Sequence, residues 1–145
     1  MGFGDPSGNY WLGNDLLSQL TAKNRYKLKF ELQQNGTGNW YYAEYSTFRV
    51  QSEAYIYKLQ VGGFSGNASF DALGLLQNGE KFSTMDRDND QAPSFSCAVG
   101  FGGGFWYAWC AWCSVNGVRS TGTFYWWNLP GGRHLQYSRM WLQCK

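Results

Sequence analysis

The stretch YKLKFELQ, residues 26–33, alternates apolar and polar side chains at every step. Tyr26, Leu28, Phe30 and Leu32 fall on one face, and Lys27, Lys29, Glu31 and Gln33 on the other. A repeat of two residues is the repeat of a β-strand, so this segment is expected to be a strand with one face on a core and the other in water. Such a strand needs neighbours. NGTGN (35–39) reads as a turn, and WYYAEYSTFRV (40–50) as the return strand. YIYKLQV (55–61) places Tyr55, Tyr57, Leu59 and Val61 on one face and predicts a third strand. RMWLQC (139–144) puts Met140, Leu142 and Cys144 on one side, as a strand that returns to the sheet. Ahead of these, NDLLSQLT (14–21) carries Leu16, Leu17 and Leu20 behind Asn14 or Asp15 as a cap, and predicts a short helix. The fold class is α+β: an antiparallel sheet with short helices.

After Gly79 the alternation stops. From Lys81 to Arg133 the chain is rich in Gly, Asn and Asp and shows little periodicity, and a long irregular stretch inside a compact domain is usually functional or stapled. At 145 residues the chain is expected to be one domain. It divides into a sheet subdomain over 1–80, a loop-rich subdomain over 81–139 and a return strand over 140–145.

Charge excludes some partners. The formal net charge is +2 and only 15% of residues are charged, so there is no basic stripe for nucleic acid. No apolar run approaches the length of a membrane span. Aromatic residues make up 19% of the chain, and rigid rings give large contact area at low entropic cost, as in surfaces that bind sugars or proteins. Enzyme chemistry finds little support. The single histidine, His134, sits in a Pro-Gly-Gly-Arg-His turn with no nucleophile paired to it by motif. GFGGG (100–104) has no following Lys-Ser/Thr and is not a phosphate loop.

Within the irregular stretch lies a run of alternate carboxylates, Asp86, Asp88 and Asp90. An EF-hand would need Gly at the sixth loop position and Glu at the twelfth; Gln91 and Cys97 stand there. Carboxylates two apart can still converge on a hard cation, with loop carbonyls completing the shell. The other reading is a solvated acidic turn. Four cysteines follow: Cys97, Cys110, Cys113 and Cys144. If all are oxidised, three pairings are open. Cys110 and Cys113 form a C-x-x-C, but a zinc site would want a second pair and a redox motif would open a helix beside a βαβ unit, and neither is present. Sequons at Asn35 and Asn67 fit glycosylation of a secreted chain. MGFGDPSGNYW carries no basic start or apolar core of a secretory leader.

GFGDPSGNYWLGNDLLSQLT, DRDND, SCAVGFGGGFWYAWC and SVNG, in this order, resemble the fibrinogen-related domain, the lectin-like C-terminal module of fibrinogen chains, ficolins, tachylectins and angiopoietins. The likeness runs from Gly2 to about Leu142, and the family's N-terminal subdomain falls outside it. It implies calcium held by Asp88 and Asp90 and by the backbone carbonyls of Ala92 and Ser94, with Asp86 a structural neighbour. It implies a disulfide between Cys97 and Cys110. It also implies a cis peptide at Trp109–Cys110, which turns the backbone N–H groups of Cys110 and Ala111 toward an acetyl group, with Phe101 and the Tyr125, Trp126 and Trp127 segment as walls. Three departures stand in that pocket: Ala111 replaces the family histidine, Arg119 replaces a tyrosine, and the following loop is short. Cys113 and Cys144 are additional to the pattern, and are expected to form a second disulfide or, alternatively, an interchain bond.

The expected function is a secreted calcium-binding recognition domain, non-enzymatic and lectin-like, binding glycans or acetylated groups. The alternative is a structural, adhesion or assembly module that binds an extracellular protein. In either case an oligomer or larger assembly is implied, with no nucleic acid and no membrane insertion.

Overall fold

A computed structural model describes every residue from Met1 to Lys145. In chain order the elements are β1 (Phe3–Gly4), β2 (Tyr10–Trp11), α1 (Asn14–Thr21), β3 (Tyr26–Gln34), β4 (Trp40–Val50), β5 (Leu59–Gly66), α2 (Ala72–Leu76), β6 (Phe82–Ser83), α3 (Cys97–Phe101), β7 (Phe105–Trp106), β8 (Cys113–Ser114), β9 (Tyr125–Trp126) and β10 (Leu135–Cys144). Short 3-10 turns cover Glu53–Tyr55 and Arg119–Thr121. No helix is long and apolar enough to cross a membrane.

The four long strands form one antiparallel sheet in the order β10-β3-β4-β5. Strand β3 behaves as its alternation demands. Leu28, Phe30 and Leu32 are buried, and the intervening Lys27, Lys29, Glu31 and Gln33 are not. Along β4 the buried set is Ala43 and Tyr45, then Phe48 and Val50, so the parity shifts by one after Tyr45. The partner strand compensates, with Leu59 and Val61 buried and Phe64 turned to the same core. The pairing skips Ser46 and Gly63 between Tyr45↔Phe64 and Thr47↔Gly62. Gly63 has φ 69° there, and a Cβ on it would collide with the Ser46 side chain, so this break in the ladder, which leaves the register unchanged on either side, requires glycine.

Two segments differ from the sequence expectation. Tyr55 is not in a strand: Glu53–Tyr55 is a 3-10 turn, and Ile56 and Tyr57 both take left-handed backbone angles, φ 53° and 50°. That turn is held by what it carries. The Ile56 carbonyl accepts the Phe82 N–H at 3.0 Å, and the Tyr57 carbonyl accepts the Trp106 indole at 2.7 Å. The return strand starts at Leu135 rather than at residue 140, and pairs with β3 along its length, Leu135↔Gln34 to Cys144↔Tyr26.

Helix α1 has the predicted span, but its cap is Gly13, and no side chain caps it; Asn14 instead accepts a hydrogen bond from the Trp11 indole at 3.2 Å. The helix lies against β4. Buried Thr21 donates to the Leu17 carbonyl and accepts the Val50 N–H at 2.9 Å, which ties the helix to the strand. Leu17 is buried, while Leu16 is exposed.

The region between β5 and β10 contributes little regular structure but much of the core. Trp106 and Trp126 are fully buried, and Trp106 packs against Trp11, Phe48 and Phe82 while Trp126 packs against Phe30. The buried apolar side chains therefore join into a single cluster of 25 residues drawn from the sheet and from the loops.

Candidate functional site: the aspartate loop and its disulfide

The chain enters the site from β6. Asn89 fixes the loop to that strand, donating its N–H to Ser83 Oγ at 3.0 Å and its amide to the Phe82 carbonyl at 2.9 Å. The three aspartates then take different jobs. Asp86 accepts the Thr84 hydroxyl at 2.6 Å, which holds its carboxyl below the usual carboxylate range. Asp88 Oδ1 accepts the Asp90 N–H at 3.1 Å. Asp90 is the most tied: Oδ1 accepts the Ala92 N–H at 2.8 Å and Oδ2 the Cys97 N–H at 2.7 Å. Asp90 thus clamps the first residue of α3, whose own cap is the Ser96 side chain on the Val99 N–H.

Cys97 is bonded to Cys110, with Cα atoms 5.5 Å apart, as the resemblance implied. The bond joins α3 to the bend between β7 and β8, and Gln91 N–H adds a bond to the Ala108 carbonyl at 3.1 Å. Loop 86–97 is therefore pinned at both ends before any ion is considered.

Could this loop hold a hard cation? The donor set is all oxygen. The carboxylates of Asp88 and Asp90 retain lone pairs beyond those used by the backbone, and the Ala92 and Ser94 carbonyls accept no hydrogen bond within the chain. No cluster of three or more acidic, histidine or cysteine side chains forms, so carbonyls must supply part of any shell. This donor set suits calcium and does not suit a thiophilic metal.

The expected ligand pocket is rearranged. Phe101 and Tyr125 do meet, with ring centroids 6.0 Å apart. The Tyr125 hydroxyl, however, donates to the Ala111 carbonyl at 2.7 Å, and burial pushes the Tyr125 phenol up. Trp126 is not a wall: it is fully buried and its indole donates to the Phe70 carbonyl at 3.1 Å. Trp109 is 73% exposed. The Trp109–Cys110 peptide is trans, like every other in the chain. The Cys110 carbonyl instead accepts the Ala108 N–H at 2.8 Å, which closes the bend.

Cys113 and Cys144 are not joined. Cys113 is buried on β8, where its N–H donates to Gln77 Oε1 at 3.0 Å, while Cys144 is exposed at the end of β10 opposite Tyr26. One thiol is locked in the core and the other lies on the surface. Burial raises the Cys113 thiol well above its ordinary range.

Two residues at the site escape sequence reasoning. Buried Gln77 accepts the N–H groups of Trp112 and Cys113 at 3.0 Å each and donates to the Trp106 carbonyl at 2.8 Å, so one amide ties β7 to β8. A lone glutamine carries no pattern that would reveal this. Arg133 lies over Tyr125 and Trp127, 5.2 Å and 4.9 Å from their centroids, and the only hint is an arginine next to a turn near aromatics. Of the sequons, Asn35 is exposed in the β3–β4 turn, and Asn67 accepts the Tyr42 N–H at 2.7 Å.

The model of the C-terminal globular domain of fibrinogen beta and gamma chains matches residues 1–143. Bovine angiopoietin-4 is 43% identical over 117 residues, which cover 81% of this chain and 23% of the relative. Human angiopoietin-1 is 38% identical over 118 residues, again 81% and 23%. The chain thus spans about a quarter of the length of these curated relatives. Among solved structures, the fibrinogen-like globe domain of human ANGPTL6 superposes with a TM-score of 0.89 at 35% identity, covering 99% of this chain and 68% of that one. Lamprey fibrin D-dimer, complexed with the peptide Gly-His-Arg-Pro-amide, superposes with a TM-score of 0.80 at 27% identity, covering 97% and 53%. With the aspartate loop, the Cys97–Cys110 bond and the sheet order in place, the chain belongs to the fibrinogen C-terminal domain family.

Proposed function

We propose that this domain recognises an extracellular protein or peptide through the surface around the Cys97–Cys110 bond, and that calcium at Asp88 and Asp90 shapes that surface. The observation that carries the reading is the exposure of Trp109. This large ring, with exposed Phe95 and Val99, sits on a segment fastened by the disulfide and by Asp90. Rigidly held exposed aromatics are the usual anchors of protein interfaces. The fibrin D-dimer of the same fold is complexed with a peptide, which supports a peptide-like partner.

The lectin reading has less behind it. Its pocket would need free backbone donors at Cys110 and Ala111 and open aromatic walls. The Cys110 and Ala111 N–H groups donate to nothing within the chain, but Trp126 is buried, the Tyr125 hydroxyl is spent on the Ala111 carbonyl, and the bend is trans. In the proposed arrangement Asp88, Asp90 and the Ala92 and Ser94 carbonyls hold the ion. The ion contributes fixed charge that offsets the two carboxylates and keeps the loop in one conformation. Asn35 and Asn67 are proposed as glycosylated. Panning a random-peptide display library and probing an acetylated-glycan array, each with calcium and with EDTA, separates the two readings. Peptides enriched on the wild-type domain and lost with Trp109→Ala are expected. Calcium-dependent binding of acetylated glycans without peptide enrichment would overturn the proposal.

A further inference from the structure

The outer face of the sheet carries a second surface, remote in the chain from the aspartate loop. Register places Trp40, Gln33 and Tyr137 in one row across β4, β3 and β10, then Tyr42, Glu31 and Arg139, then Glu44, Lys29 and Trp141. All three rows face away from the core, and the four aromatic rings are 40–50% exposed. A cluster of half-exposed rings on one face marks an interaction site rather than ordinary surface.

The rings are held in place. Trp40 and Tyr137 meet across β3 at 5.5 Å, Arg139 lies 4.4 Å from the Trp141 centroid and 5.7 Å from that of Tyr137, and Lys29 lies 5.3 Å from Tyr42. From Tyr137 to Trp141 the surface runs about 13 Å along β10. It is an open face of the sheet, spanning β4, β3 and β10.

Charge decides what can lie on it. Lys27 pairs with Glu44 at 3.1 Å, Lys29 with Glu31 and Glu44 at 3.9 Å each, and Arg139 with Glu31 at 3.6 Å. The cations are already answered, so a polyanion such as nucleic acid or a sulfated glycan gains little here. A neutral, hydroxyl-rich chain gains more. Its apolar ring faces cover Trp and Tyr, and its hydroxyls find donors and acceptors in Gln33, Glu31 and Arg139. Because the rings are fixed beforehand, little side-chain freedom is lost on binding.

We infer that this sheet face is a binding platform for neutral polysaccharide, independent of calcium and of the surface around Trp109. The test is isothermal titration and affinity electrophoresis of the full chain with cellohexaose, against a heparin hexasaccharide and single-stranded DNA. Cellohexaose is expected to bind, unchanged by EDTA. Trp40→Ala and Trp141→Ala are each expected to weaken it about tenfold, the effect of roughly 1.4 kcal/mol of lost stacking. Leu75→Ala, an exposed apolar residue on α2, is the control with no effect. Binding lost in EDTA would assign it to the aspartate loop and overturn the inference. So would absence of cellohexaose binding, tighter binding of heparin or DNA, or a dimer in sedimentation that Trp141→Ala dissociates, since a second copy would then cover the face. The peptide-display outcome is separate, so failure of either proposal leaves the other standing.

Discussion

The sheet and the loops of this domain are stabilised by different means. In the sheet, long ladders pair backbone to backbone from Tyr26 to Cys144, and each inward side chain adds its share to a common core. Between β5 and β10 the ladders are only two residues long, and single side chains do the tying: Gln77 between β7 and β8, Asp90 onto α3, Gln34 onto the 130–132 turn, and one disulfide. A distributed structure tolerates the loss of one outward side chain. A structure held at points does not.

The sharpest test compares two glutamines. Gln77→Ala leaves a buried carbonyl and two buried N–H groups without partners, and should cost about 3–5 kcal/mol. Gln33→Ala, on the outer face of β3, should change stability by less than about 0.5 kcal/mol. Urea denaturation measures both, and equal losses would mean the two regions are not built differently.

Next in size is the disulfide. Replacing Cys97 and Cys110 by serine should cost about 3 kcal/mol, the loop-closure value for a ring of this length. Hydrogen exchange should place the new flexibility in residues 86–110 while β3 and β4 keep their protection. Loss of protection across the sheet would instead show that the two regions open together.

The difference between regions also explains what could be read from the sequence. Strands β3 and β4 and helix α1 match their expected spans because a repeat of two or of 3.6 records burial directly. Residues 55–57 fall outside the strand expected over 55–61 because their aromatics alternate by chance, while Ile56 and Tyr57 take left-handed angles and their carbonyls accept the Phe82 N–H and the Trp106 indole. Point attachments leave no repeat at all. Gln77 could not be found, and the placing of Trp126 in the core and of Cys113 away from Cys144 depends on how irregular segments cross in space. Family resemblance located the Cys97–Cys110 bond, but the trans bend at Trp109 shows that it does not fix local conformation.

Calcium should sharpen the contrast further. At a hundredfold excess over its dissociation constant an ion bound only by the folded chain adds about 2.7 kcal/mol. Thermal melts should rise with calcium in the wild type and not in the double variant Asp88→Asn, Asp90→Asn. Equal shifts in both would place any calcium site elsewhere.

The smallest expected effects are those of the thiols and of alkali. A thiol reagent should modify Cys144 quickly in the native protein and Cys113 only on unfolding. Burial raises the Cys113 thiol above its ordinary 9.0 and the Tyr45, Tyr107 and Tyr125 phenols above 10.0. The unfolded chain therefore loses these protons first, so their contribution is complete below about pH 9 and declines as pH rises beyond it. The thermal midpoint should fall from there upward; a rise would contradict the burial of these groups.

Strand β10 lies beside β3, although the whole loop region separates them in the chain. Their union is a long-range event. During synthesis β3, β4 and β5 emerge first, and β3 must wait with one edge unpaired while about seventy further residues are made and arranged. A fold closed by its most distant contact should form slowly and late. Until β10 arrives, Leu28, Phe30 and Leu32 lie beside an open edge, which is the interval in which aggregation competes with folding.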